Sequence, residues 1–81
     1  MSELAQELGS AVRLLVDDRE AVEIDEKEGT DGVHFEIRVA ATDLGKVIGR
    51  QGRTIRALRS LLEARGGKDG VRYWLDILED D

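Results

Sequence analysis

Two glycines, Gly49 and Gly52, interrupt an otherwise helical pattern in the stretch KVIGRQGRTIRAL. Glycine inside a helix costs about 1 kcal/mol relative to alanine, so the pair indicates a sharp turn or the close approach of another molecule. A helix that begins after such a turn directs N–H groups and the positive end of its dipole at the turn, which creates an anion site. Arg50 and Arg53 flank the glycines, and Lys46 lies one turn before Arg50. These residues predict contact with phosphate groups.

The distribution of charge supports this prediction, although the chain has a net charge of −6. Residues 45–72 hold eight basic and two acidic residues, whereas the rest of the chain holds four basic and sixteen acidic ones. Such asymmetry indicates that one segment meets an anion while the remainder keeps the protein soluble. Within that segment, Arg56 and Arg59 are better interpreted as a solvated helix face than as phosphate contacts.

Catalysis is not expected. The chain has no cysteine and one histidine, His34, which falls on the polar face of a predicted strand and is interpreted as a solvated residue. No pair of acids is set among apolar residues for general acid–base work, and the phosphate-binding pattern G-x-x-x-x-G-K-[ST] is absent. We therefore predict a protein that is not an enzyme and needs neither a cofactor nor a metal.

The elements before the two glycines can be predicted from their periodicity. Apolar residues at helical spacing predict a first helix over residues 3–16, for which Ser2 is a suitable N-cap. Alternation of apolar and polar residues predicts a short strand at residues 22–25 and a longer one at 33–39, joined by turn-forming residues at 28–32.

The helical period then returns on both sides of the glycine pair. A short helix at residues 44–48 is stopped by the first glycine, and a longer one begins after the second and is expected to end in a loop at residues 66–70. Residues 71–77 alternate as a final strand, and residues 79–81 are expected to form an acidic tail. The order α-β-β-α-α-β predicts a three-stranded sheet with helices over one face.

The length and hydropathy of the chain limit its class. Its 81 residues suffice for a single domain, predicted to span residues 1–81. The apolar runs are too short for a transmembrane helix, and the start of the chain lacks a basic region followed by an apolar stretch. We expect a soluble, cytoplasmic protein.

The segment GKVIGRQGRTI, residues 45–55, resembles the signature of KH domains, G-x-x-I-G-x-x-G-x-x-I, at every fixed position. The chain length, the element order and the segment DLGKVIGRQGRT are similar to those of small bacterial KH-domain proteins of the KhpA (YlqC-like) family. The resemblance implies an α+β fold, the type II (prokaryotic) KH domain. It also implies binding of single-stranded RNA, whose backbone the KH loop clamps.

The resemblance further implies individual roles. Residues 49–52 would clamp the phosphate backbone, Gly45 would leave the first motif helix smooth for bases, and Val47 and Ile48 would divide between core and groove. Residues 66–70 would form the variable loop, from whose side Arg72 could reach the RNA. The RNA-binding residues implied are Gly45, Lys46, Ile48, Gly49, Arg50, Gln51, Gly52, Arg53 and Arg72.

Two functions remain open at this point. The first is RNA binding in post-transcriptional regulation or as an RNA chaperone. The alternative is a KH-fold dimerisation or protein-interaction module with weak or secondary RNA binding, which the net negative charge and the short variable loop favour. The resemblance suggests a homodimer or a heterodimer with a larger KH-containing protein. Trp74, predicted on the polar sheet face, fits either an interface or a side chain tucked against its neighbours.

Overall fold

The predicted element order is confirmed by the computed structural model, which describes residues 2–80, the last of them through its backbone only. Across these residues three α-helices and three strands follow one another with short 3₁₀ turns between some of them. The elements are α1 (Glu3–Leu15), β1 (Glu23–Gly29), β2 (Gly32–Ala40), α2 (Leu44–Ile48), α3 (Arg53–Asp69) and β3 (Tyr73–Asp80).

Helix α1 begins at its predicted cap and ends before two aspartates that would oppose its dipole. The Ser2 hydroxyl accepts a hydrogen bond of 3.1 Å from the backbone N–H of Ala5, an N-cap that stabilises a helix by about 1 kcal/mol. Leu8 and Val12 bury the predicted apolar stripe against the sheet, whereas Leu15 at the end of the stripe is exposed.

The sheet is mixed, in the order β1-β2-β3. Strands β1 and β2 form an antiparallel hairpin in which Ile24 pairs with Ile37, and β3 pairs with β2 in parallel, with Leu75 beside Phe35. A parallel pair needs a crossover connection, and α2 and α3 together provide it. The glycine pair therefore lies in the middle of a β-α-α-β crossover.

All three helices pack on one face of the sheet, as predicted. The core consists of one apolar cluster built from that sheet face and from the inner faces of the helices. Its least exposed large side chains are Phe35, Ile37, Val12, Val39 and Val47. No helix within residues 2–80 is long and apolar enough to cross a membrane.

The predicted loop at residues 66–70 is wrong, because α3 continues through Gly66 and Gly67 to Asp69. A Cβ on Gly66 would lie 2.4 Å from the carbonyl oxygen of Val71, so glycine here permits a close approach of the returning chain. The helix ends instead at Gly70, whose φ of 70° is the left-handed conformation typical of a helix C-terminus.

The last strand is also longer than its alternation predicted. Glu79 and Asp80 pair in register with Val39 and Ala40, so they extend β3 to the C-terminal end of β2. The expected acidic tail at residues 79–81 is thus replaced by strand at its first two positions. Residue 81 lies outside the described residues.

Candidate nucleic-acid interface

The turn between α2 and α3 is built from residues with positive φ. Gly49 and Gly52 have φ values of 79° and 73°, and Gln51 between them has a φ of 55°. The N–H of Gly49 donates to the carbonyl of Gly45 at 2.8 Å, and that of Gly52 donates to the carbonyl of Gly49 at 3.0 Å. Gln51 is the only residue other than glycine with positive φ within residues 2–80, a conformation that costs free energy and is common at functional turns.

The three glycines of this region serve different purposes. A Cβ on Gly49 would lie 2.3 Å from Oγ1 of Thr54, so the fold itself requires glycine there for the two helices to meet. A Cβ on Gly52 would meet only Ile55, at 3.9 Å. Glycine is therefore favoured at this position by the backbone conformation and not by packing. A Cβ on Gly45 would meet nothing within 4 Å. Packing therefore gives no reason for glycine at position 45, where it leaves the surface of α2 bare.

Two arginines beside the turn are exposed and unneutralised. Among the side chains of residues 2–79, no carboxylate lies within 4.0 Å of the guanidinium group of Arg50 or of Arg53. Arg53 makes only a long hydrogen bond, 3.4 Å, from Nη2 to Oε1 of Gln51. The N-cap of α3 is Gly52, which supplies no side-chain acceptor to the helix start. The positive end of a 17-residue helix and two cations thus face solvent together.

Lys46 does not join this cluster. Its Nζ donates to Oδ2 of Asp17 at 2.5 Å and to Oδ1 of Asp43 at 3.1 Å. These two carboxylates, led by Asp17, raise the pKa of Lys46 above its ordinary value. The predicted phosphate contact of Lys46 would require it to leave both partners.

Asp43 supports the site structurally, a role that the sequence prediction missed. Its side chain is fully buried and accepts hydrogen bonds from the backbone N–H groups of Asp18, at 2.9 Å, and Asp17, at 3.1 Å. These backbone donors, followed by Lys46, lower the pKa of the Asp43 carboxyl group. The carboxylate therefore ties the segment after α1 to the start of the first motif helix.

The sequence carries one signal for Asp43, and that signal points to a different role. An aspartate immediately before a helix is typical of an N-cap. Asp43 occupies that position, yet its side chain makes no capping bond to α2. Its partners lie 25 and 26 residues away along the chain, beyond the reach of any local pattern.

The apolar residues of the motif divide as predicted. Val47 and Ile55 are buried in the core, whereas the Ile48 side chain is 37% exposed beside Gly49. An exposed isoleucine next to the bare surface of Gly45 forms an apolar strip along α2. Such a strip is suited to contact with the faces of nucleic-acid bases.

Arg59 has a structural task, whereas the sequence interpretation placed it only on a solvated helix face. Its Nε and Nη2 both donate to the carbonyl oxygen of Leu75, at 3.2 and 3.1 Å. Nη2 also lies 4.0 Å from Oδ1 of Asp76. Arg59 therefore holds the middle of α3 to the outer edge of β3.

Arg72 lies near the C-terminal end of α3, at the end of that helix opposite the glycine turn. The structure therefore does not bring Arg72 together with Arg50 and Arg53. The Arg72 guanidinium lies over the indole of Trp74, 4.8 Å from the ring centroid. Trp74 in turn stacks on His34, with ring centroids 4.3 Å apart and planes inclined by 13°. His34 therefore lies on the polar sheet face, as predicted, and its half-buried ring is stacked on Trp74.

A mixed three-stranded sheet with a Gly-x-x-Gly turn between the two helices of its parallel crossover defines a type II KH domain. Comparison with known families agrees, since the family described as KhpA/KhpB, KH domain matches residues 5–77. The chain belongs to this family of KH domains. The resemblance noted from the sequence is confirmed, and the chain is not an enzyme, since the family is a non-enzymatic one.

Individual relatives match over nearly their full length. The RNA-binding protein KhpA of Aquifex aeolicus is 47% identical over 79 residues, which cover 98% of this chain and 100% of the relative. The RNA-binding protein KhpA of Chlamydia trachomatis is 42% identical over 73 residues, 90% of this chain and 94% of the relative. The protein of the same name from Caldanaerobacter subterraneus is 40% identical over 78 residues, 96% of this chain and 100% of the relative.

Proposed function

We propose that this chain binds single-stranded RNA and clamps its phosphate backbone with residues 49–52 and the start of α3. Several related chains of similar length are named RNA-binding proteins. The Gly-x-x-Gly loop of KH domains contacts the backbone of about four nucleotides. The proposal therefore assigns the loop of this chain the task that its family membership suggests.

One observation carries the proposal. Arg50 and Arg53 stand exposed beside an uncapped helix start, with no carboxylate of residues 2–79 within 4.0 Å, in a chain whose net charge is −6. A protein with so many acidic residues could neutralise both cations at its surface, as it does for Lys46. An anionic ligand explains why these two are left available.

The surface next to the loop suits the bases of the same nucleotides. Gly45 presents no side chain and Ile48 is partly exposed, so a base can lie against α2 while its phosphate meets the loop. KH domains recognise single-stranded RNA, whose bases are unpaired and accessible. Lys46 contributes to this interface through its hold on Asp43, which fixes α2, rather than through a free ammonium group.

The test is a double variant, Arg50→Asp with Gln51→Asp. Both substitutions place a carboxylate where a phosphate would lie, and the affinity for a single-stranded oligoribonucleotide should fall by about 100-fold or more, since charge-assisted contacts are worth about 1.5–3 kcal/mol each. Fluorescence anisotropy of labelled RNA measures the affinity, and far-ultraviolet circular dichroism checks that the domain remains folded.

A matched control carries the same change of charge away from the loop. Arg19→Asp with Gln6→Asp alters two exposed residues elsewhere on the molecule. Apart from the general weakening caused by a more negative net charge, this variant should keep its RNA affinity within about twofold of the parent. If the loop variant bound RNA as tightly as the control, the clamp would be located elsewhere.

A second candidate function is protein interaction through the helices. Leu61 on α3 and Leu14 on α1 are 68% and 81% exposed, and exposed apolar side chains are common at association surfaces. The occupant would be a second copy of the chain or a larger KH-containing protein. Light scattering with and without RNA separates the candidates, since a stable dimer indifferent to RNA and to the loop variant would favour this second function.

In the cell, we propose a cytoplasmic role in post-transcriptional regulation or as an RNA chaperone. Crosslinking the protein to RNA in living cells, followed by sequencing of the bound fragments, identifies the targets. Recovery of RNA should fall with the Arg50→Asp, Gln51→Asp variant if the loop is the site of contact.

A further inference from the structure

A stack of three side chains lies on the sheet face that the helices leave open, at the end of β3 farthest from the glycine turn. Trp74 and His34 are directly paired in the register of β2 and β3, and their rings are nearly parallel at a centroid distance of 4.3 Å. The exposed Arg72 guanidinium lies over the same indole at 4.8 Å. The two rings and the guanidinium are planar, so another planar group can be added to the stack.

The stack borders a depression of about 710 Å³ between the second half of α3 and the start of β3. Part of the wall consists of glycine backbone, and a Cβ on Gly67 or on Gly70 would meet nothing within 4 Å. Two acidic residues, Glu63 and Asp76, also line it, and Asp76 lies beside Arg59. The space is open and wide enough for a planar group to reach the stack.

The charge of Arg72 indicates what kind of planar group would bind at the stack. Among the side chains of residues 2–79, no carboxylate lies within 4.0 Å of the Arg72 guanidinium. The guanidinium can contact a phosphate, and the stacked rings can contact a base. Sites for single-stranded nucleic acid combine these two contacts. A protein surface that docked here would gain little from Arg72 unless it carried an acid.

The position of the stack is consistent with one continuous RNA strand. Arg59, which lines the same depression, is on α3 six residues after Arg53, roughly 9 Å along the helix axis at 1.5 Å per residue. A strand that leaves the glycine turn and follows α3 toward its C-terminus reaches Arg59, then the depression, and then the stack.

We infer that Trp74, His34 and Arg72 form a second contact for single-stranded RNA, at which an unpaired base beyond those held at the loop extends the stack while its phosphate pairs with Arg72. This inference rests on the proposed function and adds a stacking site to it. It also explains a tryptophan on the solvent face of a small sheet, where burial alone gives no reason for one.

The experiment uses the fact that Trp74 is the sole tryptophan, so its emission reports this site alone. Two oligouridylates serve as probes, one of about four nucleotides, which matches the loop, and one of about 12 nucleotides, which can span both contacts. The longer probe should quench Trp74 emission and the shorter one should not. Trp74→Leu should weaken binding of the longer probe by at least about fivefold and leave the shorter one unchanged within about twofold.

Further variants keep the result interpretable if Trp74→Leu folds poorly. Trp74→Phe retains a ring and should restore most of the affinity for the longer probe, and Arg72→Gln should weaken that affinity while leaving the tryptophan in place. Leu78→Ala is the matched control, because Leu78 lies on the same open face two positions after Asp76 and belongs to neither contact.

The outcomes separate this inference from the proposed function. If both probes bind equally well and Trp74 emission does not change, the stacking site is refuted while the loop function stands. If neither probe binds the parent protein, both proposals fail. If emission changes with protein concentration alone, the stack belongs to an interface between protein molecules, and the inference is overturned.

Discussion

Lys46 and Arg50 are one helical turn apart in the sequence, and their side chains have different partners in the structure. The ammonium group of Lys46 is held by Asp17 and Asp43, whereas no carboxylate of residues 2–79 lies within 4.0 Å of the Arg50 guanidinium. Residue type and spacing indicate a basic cluster, but they do not separate a structural cation from a binding one. The separation depends on Asp17, 29 residues from Lys46, which only the fold brings near.

At the residue scale, Asp43 offers the clearest test of how the motif is held. Replacement of Asp43 by asparagine removes the charge that faces Lys46 and leaves at most one good acceptor for the N–H groups of Asp17 and Asp18. We expect a lower urea midpoint for Asp43→Asn, because one of these N–H groups loses its acceptor and Lys46 loses one of its two carboxylates. Asp25→Asn, an exposed position on β1, should leave the midpoint within experimental error.

The lowered pKa of Asp43 also predicts how the free energy of unfolding depends on pH. Because the pKa of Asp43 is lowered by folding, its contribution is complete above its ordinary pKa of about 3.9 and is lost as pH falls through the pKa of the folded state. The difference in unfolding free energy between the parent and Asp43→Asn should therefore shrink on acidification below about pH 4. A difference that grew at low pH would contradict the assignment of Asp43 as a paired carboxylate.

At the scale of elements, α3 shows where sequence patterns succeed and where they fail. Its start and its partner strand follow from periodicity and agree with the prediction. Its end was not predicted, because a Gly-Gly pair is typical of a loop and the pattern carries no information about the chain packed against it. Gly66 lies against Val71, whose N–H donates to the Gly66 carbonyl at 3.1 Å in the turn that closes α3 at Gly70.

The two adjacent glycines of α3 give a matched prediction. Gly67→Ala meets no neighbour and should raise the unfolding free energy by about 0.5–1 kcal/mol, the difference in helix propensity. Gly66→Ala places a methyl group 2.4 Å from a backbone carbonyl and should lower it by roughly 1–3 kcal/mol. Urea denaturation of both variants measures the difference. Equal effects would mean that the helix ends before Gly66, as the sequence alone suggests.

At the scale of the whole molecule, charge is divided between two regions. Residues 45–72 carry a net positive charge and the remainder carries a large negative one, a distribution that favours anions at one part of the surface. The division was predictable from the sequence, and so was the element order, since both depend on local composition. The Asp43 contacts and the Trp74 stack were not predictable, since each joins residues far apart in the chain.

This division predicts a weak dependence of RNA affinity on salt. If two to four phosphates are neutralised, the plot of log K against log salt concentration should have a slope of roughly −1.4 to −2.8 for single strands. Arg53→Gln should reduce the magnitude of the slope by about 0.7, the effect of one phosphate. Arg19→Gln, outside the basic segment, is the control. A slope unchanged by Arg53→Gln would remove this arginine from the interface.

The bond from Arg59 to the carbonyl of Leu75 has a consequence for solubility. Strand β3 is an edge of the sheet, and an edge strand with free backbone groups is a template onto which strands of other molecules can add. Arg59 occupies one of those carbonyls from α3, and the charged Asp76 and Glu79 follow along the strand. The same guanidinium that fastens the helix thus helps to protect the protein from edge-to-edge aggregation.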